Sequence, residues 1–191
     1  MTDSEIRKQV NNFESVSDED LRRGLAHINF RLDEEKFIIA GSCYGATVVL
    51  GSLTVDTFRR HFGLPAEATD IYAERIRIQG SIVLRAYVCF VFMRSDELEQ
   101  GLDNVPEESP LWPFRNFFRK GNPKKGDDSI AQHIRNSLAH GSFRFARQEA
   151  ALIFEDRGWK AKMDVNLIDR ICAEVKRFYW CAYEITHNIK S

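Results

Sequence analysis

The spacing of apolar residues along the chain predicts a largely helical protein. In its C-terminal part, apolar side chains recur at alternating intervals of three and four residues, which places them on one face of a long helix. Such a seam suits either the core or a second copy of the chain, and we favour the core. The residues of this seam are Ile168, Ile171, Val175, Phe178, Ala182, Ile185 and Ile189.

Further helices are predicted nearer the N-terminus. Residues 69–102 are apolar on almost every side, which is typical of a helix at the centre of a domain. Arg85 interrupts this run, and we expect it to be a buried partner in an ion pair. A shorter helix is predicted over residues 21–32, because Ser17 and the acidic residues that follow it are typical of a helix start.

Residues 37–62 are predicted to form one long buried helix that ends at Gly63. Over residues 37–55 this segment carries no charged side chain and is about as long as a membrane span. It also contains many small and polar residues, so a core helix is favoured over membrane insertion. We therefore expect no membrane partner.

Residues 103–128 are rich in proline and glycine and are predicted to form a long loop, which is uncommon in a compact domain unless it is functional. Its cations could follow a phosphate backbone while Trp112 or Phe114 stacks on a base. An equally supported alternative is that these cations are simply solvated and bind no RNA, while the aromatic side chains beside them are buried. Together with one arginine of the segment that follows, the candidate RNA-binding residues are Arg115, Arg119, Lys120, Lys124, Lys125 and Arg144.

The next helix is predicted to begin after Ser129 and to run to about His140, where Gly141 stops it. Short alternating runs at residues 142–147 and 151–156 then indicate a β-hairpin. The predicted fold class is therefore mostly α, a helical bundle with a short hairpin before the last helix. We expect a polar N-terminal tail over residues 1–17 and one domain over residues 18–191.

Composition narrows the possible functions. The 191 residues are 43% hydrophobic, which suits one domain with a proper core, and the net charge of −1 gives no overall attraction to nucleic acid. The four cysteines form no CxxC pair, and the first residues lack the apolar stretch of a signal peptide. We expect a reduced, cytoplasmic protein without a cofactor. No convincing cluster of histidine and carboxylate residues indicates a metal site.

One sequence pattern with candidate chemistry occurs twice: an arginine and a histidine separated by four residues. One copy is Arg135-Asn136-Ser137-Leu138-Ala139-His140, and the other runs from Arg22 to His27. Spacing alone cannot choose between them, but context can. The copy at Arg135 has a polar Asn136 beside its arginine and a helix stop at Gly141. The copy at Arg22 has Arg23 in the polar position and no helix stop.

The later copy resembles the motif of the HEPN superfamily (higher eukaryotes and prokaryotes nucleotide-binding). The string IRNSLAHGSF, followed by ALIFEDR and a terminal helix, is similar to plasmid-borne and defence-associated bacterial members. The resemblance covers residues 69–189 in the order of helices and residues 134–157 in specific sequence. It implies a HEPN-like helical bundle.

The resemblance also implies a metal-independent endoribonuclease that acts as a toxin or phage-defence effector. Arg135 would then grip phosphate oxygens. His140 would transfer protons, because an imidazole titrates near neutrality. Asn136 would orient the histidine or bind the phosphate. His133 either lines the same site or faces solvent.

The helical geometry restricts how these residues could act together. Residues five apart on an α-helix point about 140° apart around the axis. Arg135 and His140 can therefore converge only if the helix ends between them or if a second subunit completes the site. The family resemblance implies the second arrangement, a homodimer with a composite active site, and it also allows an antitoxin protein as a partner.

Three alternatives stay open at this point. The arginine could pair with a nearby or a distant carboxylate, with His140 a simple helix cap. The domain could be a catalytically silent HEPN module for nucleotide binding or protein interaction. A helix followed by a hairpin also fits a winged-helix DNA binder, although the near-neutral charge disfavours it.

Overall fold

The computed structural model describes residues 3–65, 69–119, 128–146 and 149–187. Within them the fold is mostly helical, as predicted, with one small antiparallel sheet before the last helix. The helices are α1 Asp3–Glu14, α2 Asp18–Leu25, α3 Glu34–Ser52, α4 Val55–Phe62, α5 Asp70–Tyr87, α6 Asp96–Gly101, α7 Trp112–Phe118, α8 Ile130–Ala139 and α9 Val165–Thr186. The strands are β1 Phe143–Phe145, β2 Ala151–Asp156 and β3 Trp159–Asp164.

The predicted hairpin of β1 and β2 is present, and β3 extends it to a sheet of order β1-β2-β3. β3 was not predicted. Asp156 pairs with Trp159 at the end of the β2–β3 ladder, so only Arg157 and Gly158 form the turn between the strands. Both have positive φ angles, 44° and 83°, as the two-residue turns favoured by antiparallel hairpins require. This tight turn places charged and aromatic residues beside the end of α8.

The long helix α9 runs through the core, as its seam predicts. Ile171, Val175 and Phe178 are almost wholly buried. Phe114 of α7 lies between Phe178, at a ring-centroid distance of 4.9 Å, and Phe13 of α1, at 4.6 Å. These stacked rings tie the N-terminal, middle and C-terminal helices together.

The prediction of an N-terminal tail and the prediction of a long loop are both wrong, and for the same reason. The expected polar tail is the helix α1, because Ile6, Val10 and Phe13 lie on one face and are buried against the rest of the domain. The expected loop over residues 103–128 contains α7, because Phe114 and Phe117 fill the core. In both segments a few apolar residues at helical spacing outweigh the polar or proline-rich surroundings.

Two predicted long helices are each broken. The segment 37–62 divides into α3 and α4 at Leu53, whose backbone is extended, and the Thr54 side chain caps α4 by accepting from Thr57 N. The segment 69–102 passes through a π-helical turn at Val88–Phe92 and restarts at α6, which Ser95 caps. Local capping residues therefore set these boundaries where the apolar pattern continues across them.

Helix α3 is buried on one side only. Phe37, Ala40 and Tyr44 face the core, whereas its other side exposes Ile38, Ile39, Val48 and Val49. In the described ranges no single helix is long and apolar enough to cross a membrane, and two pairs meet that test only when joined across bends of 120° and 70°.

The prediction for Arg85 is confirmed. Its side chain is buried, forms an ion pair with Asp169 of α9, and donates from Nε to Thr47 Oγ1 at 3.3 Å. This contact joins the inner face of α3 to α5 and α9.

Candidate functional site

The end of α8 is formed by a complete C-terminal cap. His140 is the capping residue, and Gly141 takes a φ of +66°, which a glycine adopts without strain. Gly141 N donates to Leu138 O at 3.3 Å, and Ser142 N donates to Ser137 O at 2.8 Å. This pair of bonds is a Schellman motif, so the helix stop predicted at Gly141 is confirmed. As a result, His140 is exposed at the end of the helix.

Arg135, by contrast, points into the core. Its Nη2 donates to Glu99 Oε1 at 2.6 Å, its Nε donates to Phe90 O at 2.9 Å, and its Nη1 donates to Gln132 Oε1 at 2.8 Å. The Glu99 side chain is 3% exposed and that of Arg135 is 7% exposed. The arginine therefore pairs with a distant carboxylate, one of the alternatives left open by the sequence.

A hydrogen-bonded network leads from this buried pair to the surface. Gln132 Nε2 donates to Asn136 Oδ1 at 2.7 Å, and Asn136 Nδ2 donates to Asp156 Oδ2 at 2.9 Å. Both ends of the Asn136 amide are thus occupied. In this arrangement the Asn136 side chain orients Asp156, and its contact with His140 is made by the backbone, where His140 N donates to Asn136 O at 2.9 Å.

Asp156 is the point where this network meets the sheet. His133 Nδ1 lies 2.9 Å from Asp156 Oδ2, and the His133 ring stacks on Trp159 at a centroid distance of 4.7 Å and an interplanar angle of 7°. Burial raises the pKa of Asp156, but the hydrogen bonds from Asn136 and His133 and the nearby positive charges outweigh it. The pKa of this carboxyl therefore lies below its ordinary value, and it is ionised at neutral pH.

His140 opens into a cleft of about 550 Å³ between the end of α8 and the β2–β3 turn. The cleft combines a general acid or base with cations and an aromatic ring, which are the groups that recognise and cleave a phosphodiester. The residues that line it are His140, Ser142, Glu155, Asp156, Arg157, Gly158, Trp159 and Lys160.

The cations in and beside the cleft, Lys160, Arg144 and Arg157, differ in how tightly they are held. Lys160 Nζ lies 3.0 Å from Glu155 Oε1, and Arg144 Nη2 lies 3.3 Å from the same oxygen. These two cations lower the pKa of Glu155, with the hydrogen bond from Lys160 the largest contribution. The Arg157 side chain is 78% exposed, and its Nη1 lies 3.8 Å from Asp128 Oδ2. Arg157 is the cation best placed to turn toward an added anion.

Three of the predicted RNA-binding residues, Arg115, Arg119 and Arg144, lie within the described residues, and each already contacts another side chain there. Arg119 is held by both oxygens of Asp103, at 2.8 and 2.7 Å, and the Arg115 guanidinium lies over the Trp112 ring at 4.9 Å. Phe114 cannot stack on a base, because it is completely buried. Arg144 lies on β1, near the cleft. Lys120, Lys124 and Lys125 lie outside the described residues.

The earlier copy of the motif does not bring its two residues to one cleft: His27 lines a separate cleft of about 740 Å³ with Arg23 and Trp112, and Arg22 is not among the residues that line it. Arg22 Nε donates to Glu184 Oε2 at 2.8 Å, which ties α2 to α9, and His27 is exposed just beyond the end of α2. The predicted helix over residues 21–32 without a stop is wrong, because α2 ends at Leu25, so a helix end precedes the histidine of this copy as well.

One cluster was missed by the sequence analysis. Asp128, His133 and Asp156 each offer a ligand atom, and these atoms all lie within 4.8 Å of one another. The expectation that no histidine and carboxylate cluster exists is therefore wrong. The pattern along the chain does not indicate it, because Asp156 is 23 residues from His133 and the sheet alone brings them together.

The other missed residues are Arg157, Trp159 and Lys160. They are adjacent in sequence to the predicted hairpin, and recognition of the Arg157-Gly158 pair as a turn would have indicated a third strand. No family model matches this chain, and no curated protein and no solved structure matches it.

Proposed function

We propose that the protein is a metal-independent endoribonuclease of the HEPN type. The single observation that carries the proposal is that His140 of the motif is exposed at the end of α8 and lines one cleft with Arg157 and Trp159. The family assignment rests on the resemblance of residues 134–157. A role as a toxin or phage-defence effector, with an antitoxin as partner, follows from that resemblance, and a cytoplasmic location is proposed from the pattern of the cysteines.

In the proposed reaction, the 2′-hydroxyl of RNA attacks the adjacent phosphorus. The new O–P bond forms as the bond to the 5′-oxygen breaks, which gives a 2′,3′-cyclic phosphate and a 5′-hydroxyl end. His140 either takes the proton of the attacking hydroxyl or delivers a proton to the leaving oxygen, and solvent water exchanges the other proton. Arg157 offsets the charge that develops on the phosphate oxygens, and Trp159 offers a ring for base stacking.

Arg135 and Asn136 take different roles in this proposal from those implied by the resemblance. The guanidinium of Arg135 is held by Glu99 and Phe90 O, so it fixes α8 in the core and thereby positions His140. Asn136 holds Asp156 at the floor of the cleft. We treat both as positioning residues. A phosphate contact by Arg135 stays a prediction that requires its bond to Glu99 to open.

A second copy of the chain is part of the proposal. Arg135 and His140 point to the core and to the surface, so one protomer does not bring the two motif residues together. A composite site would instead combine His140 of one protomer with cations of its partner. The exposed apolar side of α3 supplies a face suited to self-association, since residues 37–55 carry no charge that a partner would have to neutralise.

The second candidate is a catalytically silent HEPN module that binds nucleotides or a protein. The observation that favours it is again the buried Arg135, which leaves the cleft without the motif arginine. The packing of α8 disfavours the winged-helix alternative, because Ile130, Ile134 and Leu138 are buried and the helix is not free to enter a DNA groove.

Cleavage of RNA in the presence of EDTA tests the proposal. We expect the wild-type protein to produce cyclic phosphate ends, and His140→Ala to reduce the rate by about 10²–10⁴-fold while circular dichroism stays unchanged. His27→Ala is the matched control, an exposed histidine of the same spacing pattern that should retain full activity. If the pure protein cleaves no RNA, or if His140→Ala cleaves like wild type, the enzyme proposal fails.

A further inference from the structure

The cluster of Asp128, His133 and Asp156 joins the start of α8 to the end of β2. Asp128 precedes the capping residue of α8, His133 lies in the first turn of that helix, and Asp156 is the last residue of β2. The side chains of Asp128, His133 and Asp156 are 30%, 14% and 8% exposed, so the cluster opens to solvent at Asp128 and is enclosed at Asp156.

The spacing of the ligand atoms fits one metal ion. Bonds of about 2.0–2.2 Å to nitrogen and oxygen place neighbouring ligand atoms of a zinc ion about 3–3.5 Å apart. His133 Nδ1 and Asp156 Oδ2 already lie 2.9 Å apart, and all three ligand atoms fall within 4.8 Å of one another. Asp128, the most exposed of the three, is the ligand that has to move closer when an ion binds.

The surroundings hold two of the three ligands in place. The Trp159 ring, parallel to the imidazole of His133, restricts its rotation, and Asn136 Nδ2 orients the Asp156 carboxylate at 2.9 Å. Contacts that orient the ligands, from residues that do not touch the ion, are typical of metal sites in proteins and increase their affinity for the metal. They separate this cluster from a chance grouping of surface carboxylates.

The chemistry of the ligands selects the type of ion. An imidazole nitrogen suits zinc and related transition metals, whereas Mg²⁺ prefers oxygen ligands and gives up its water reluctantly. Two carboxylate ligands can balance the charge of a divalent cation. The open side toward Asp128 leaves a position for water.

We propose that Asp128, His133 and Asp156 form a binding site for a zinc-class divalent ion, which fastens the start of α8 to the β2–β3 turn. The ion replaces the direct contact between His133 and Asp156 and competes with Arg157 for Asp128. This proposal does not rest on the ribonuclease proposal, because its measured quantity is metal binding.

The test is isothermal titration of the whole metal-stripped chain with ZnCl₂. We expect one ion per chain with a Kd in the micromolar range or tighter. Asp128→Asn, His133→Gln and Asp156→Asn should each weaken binding, by at least about 100-fold for the two enclosed ligands. Zn²⁺ should also raise the Tm of the wild type in a concentration-dependent way, and MgCl₂ should not reproduce that shift.

Two controls keep the test specific. Glu155→Gln removes a carboxylate next to Asp156 in sequence, and His61→Gln removes an exposed histidine of α4; both should bind Zn²⁺ like the wild type. Circular dichroism without metal checks that each variant is folded. In a folded variant, the visible absorption band of bound Co²⁺, added as CoCl₂, reports directly which ligands hold the ion. The proposal is overturned if the wild type does not bind Zn²⁺ in the micromolar range, or if His133→Gln and Asp156→Asn bind Zn²⁺ as tightly as the wild type.

Discussion

Arg135 Nη2 donates to Glu99 Oε1 at 2.6 Å, and the same carboxylate oxygen accepts from the Tyr179 hydroxyl at 3.2 Å. Burial raises the pKa of Tyr179 well above its ordinary value, so the hydroxyl stays protonated and can donate. The three side chains join α6, α8 and α9 at the centre of the domain. The motif arginine is therefore part of the structural core beneath the cleft.

The first prediction concerns this pair. Arg135→Ala should lower the free energy of unfolding by about 3–5 kcal/mol, because it leaves the buried Glu99 carboxylate without a partner. Urea denaturation followed by circular dichroism measures the loss. The double variant Arg135→Met with Glu99→Gln, which removes both charges, should recover part of it. A change below about 1 kcal/mol for Arg135→Ala would show that the ion pair is not formed in solution.

Local features of the fold could be predicted from the sequence, and the reason is physical. The caps at Ser17 and Ser129 and the stop at Gly141 depend only on hydrogen bonds within a few residues of the helix end. The seam of α9 could be predicted because one face of a long helix must be buried. These features need no knowledge of the rest of the chain.

The direction of Arg135 could not be predicted in the same way. Its partner Glu99 is 36 residues away, and the apolar pattern across residues 69–102 gave no sign that a capped helix restarts at Ser95 and places Glu99 in the core. The cleft was missed for a related reason. Its floor and rim come from β2 and the β2–β3 turn, so it exists only once the sheet has packed against α8.

The second prediction separates the two candidate RNA surfaces. Arg157→Ala should weaken RNA binding and reduce the slope of log K against log salt concentration by about 1, because the guanidinium is 78% exposed and can exchange its 3.8 Å contact with Asp128 for a phosphate. Arg119→Ala should leave both quantities unchanged, since Asp103 already binds that arginine. Fluorescence anisotropy of a labelled RNA across a salt series measures both. The opposite ranking of the two variants would move the binding surface to α7.

The third prediction concerns Asp164, which caps α9 by accepting from Leu167 N at 2.8 Å and forms an ion pair with Arg7. Burial raises the pKa of this carboxyl, but the backbone hydrogen bonds and Arg7 outweigh it, so the pKa lies below its ordinary value. The ionised form is then favoured in the folded state. Its stabilisation is complete above the unfolded pKa of about 3.9 and is lost as the pH falls through the lower folded value.

Asp164→Asn tests this sign, because asparagine also caps a helix but does not ionise. Its free energy of unfolding should fall less steeply than that of the wild type as the pH is lowered from about 5 to 3. Asp164→Ala loses the cap as well and should be less stable by about 0.5–2 kcal/mol at neutral pH. Identical pH profiles for the wild type and Asp164→Asn would contradict the assignment.

The fourth prediction concerns the exposed apolar side of α3. Val49 is 60% exposed, so Val49→Glu should leave the fold intact while it places a charge where two uncharged faces would meet. We expect the wild type to be a dimer and Val49→Glu a monomer in sedimentation equilibrium. Asn12→Glu adds the same charge on the exposed side of α1 and should stay dimeric. A monomeric wild type would remove the basis for a composite site.

Mixing variants then decides whether the site is shared between protomers. If His140 of one protomer acts with Arg157 of its partner, a heterodimer of His140→Ala and Arg157→Ala contains one intact site and one doubly altered site. Cleavage should therefore return to about half of the wild-type rate per heterodimer, although each variant alone is defective. Because His140 and Arg157 also line one cleft within a protomer, a site that is complete in one chain predicts no recovery on mixing. The subunit-exchange assay thus distinguishes a shared site from two independent ones, and Val49→Glu in both chains should abolish any recovery that occurs.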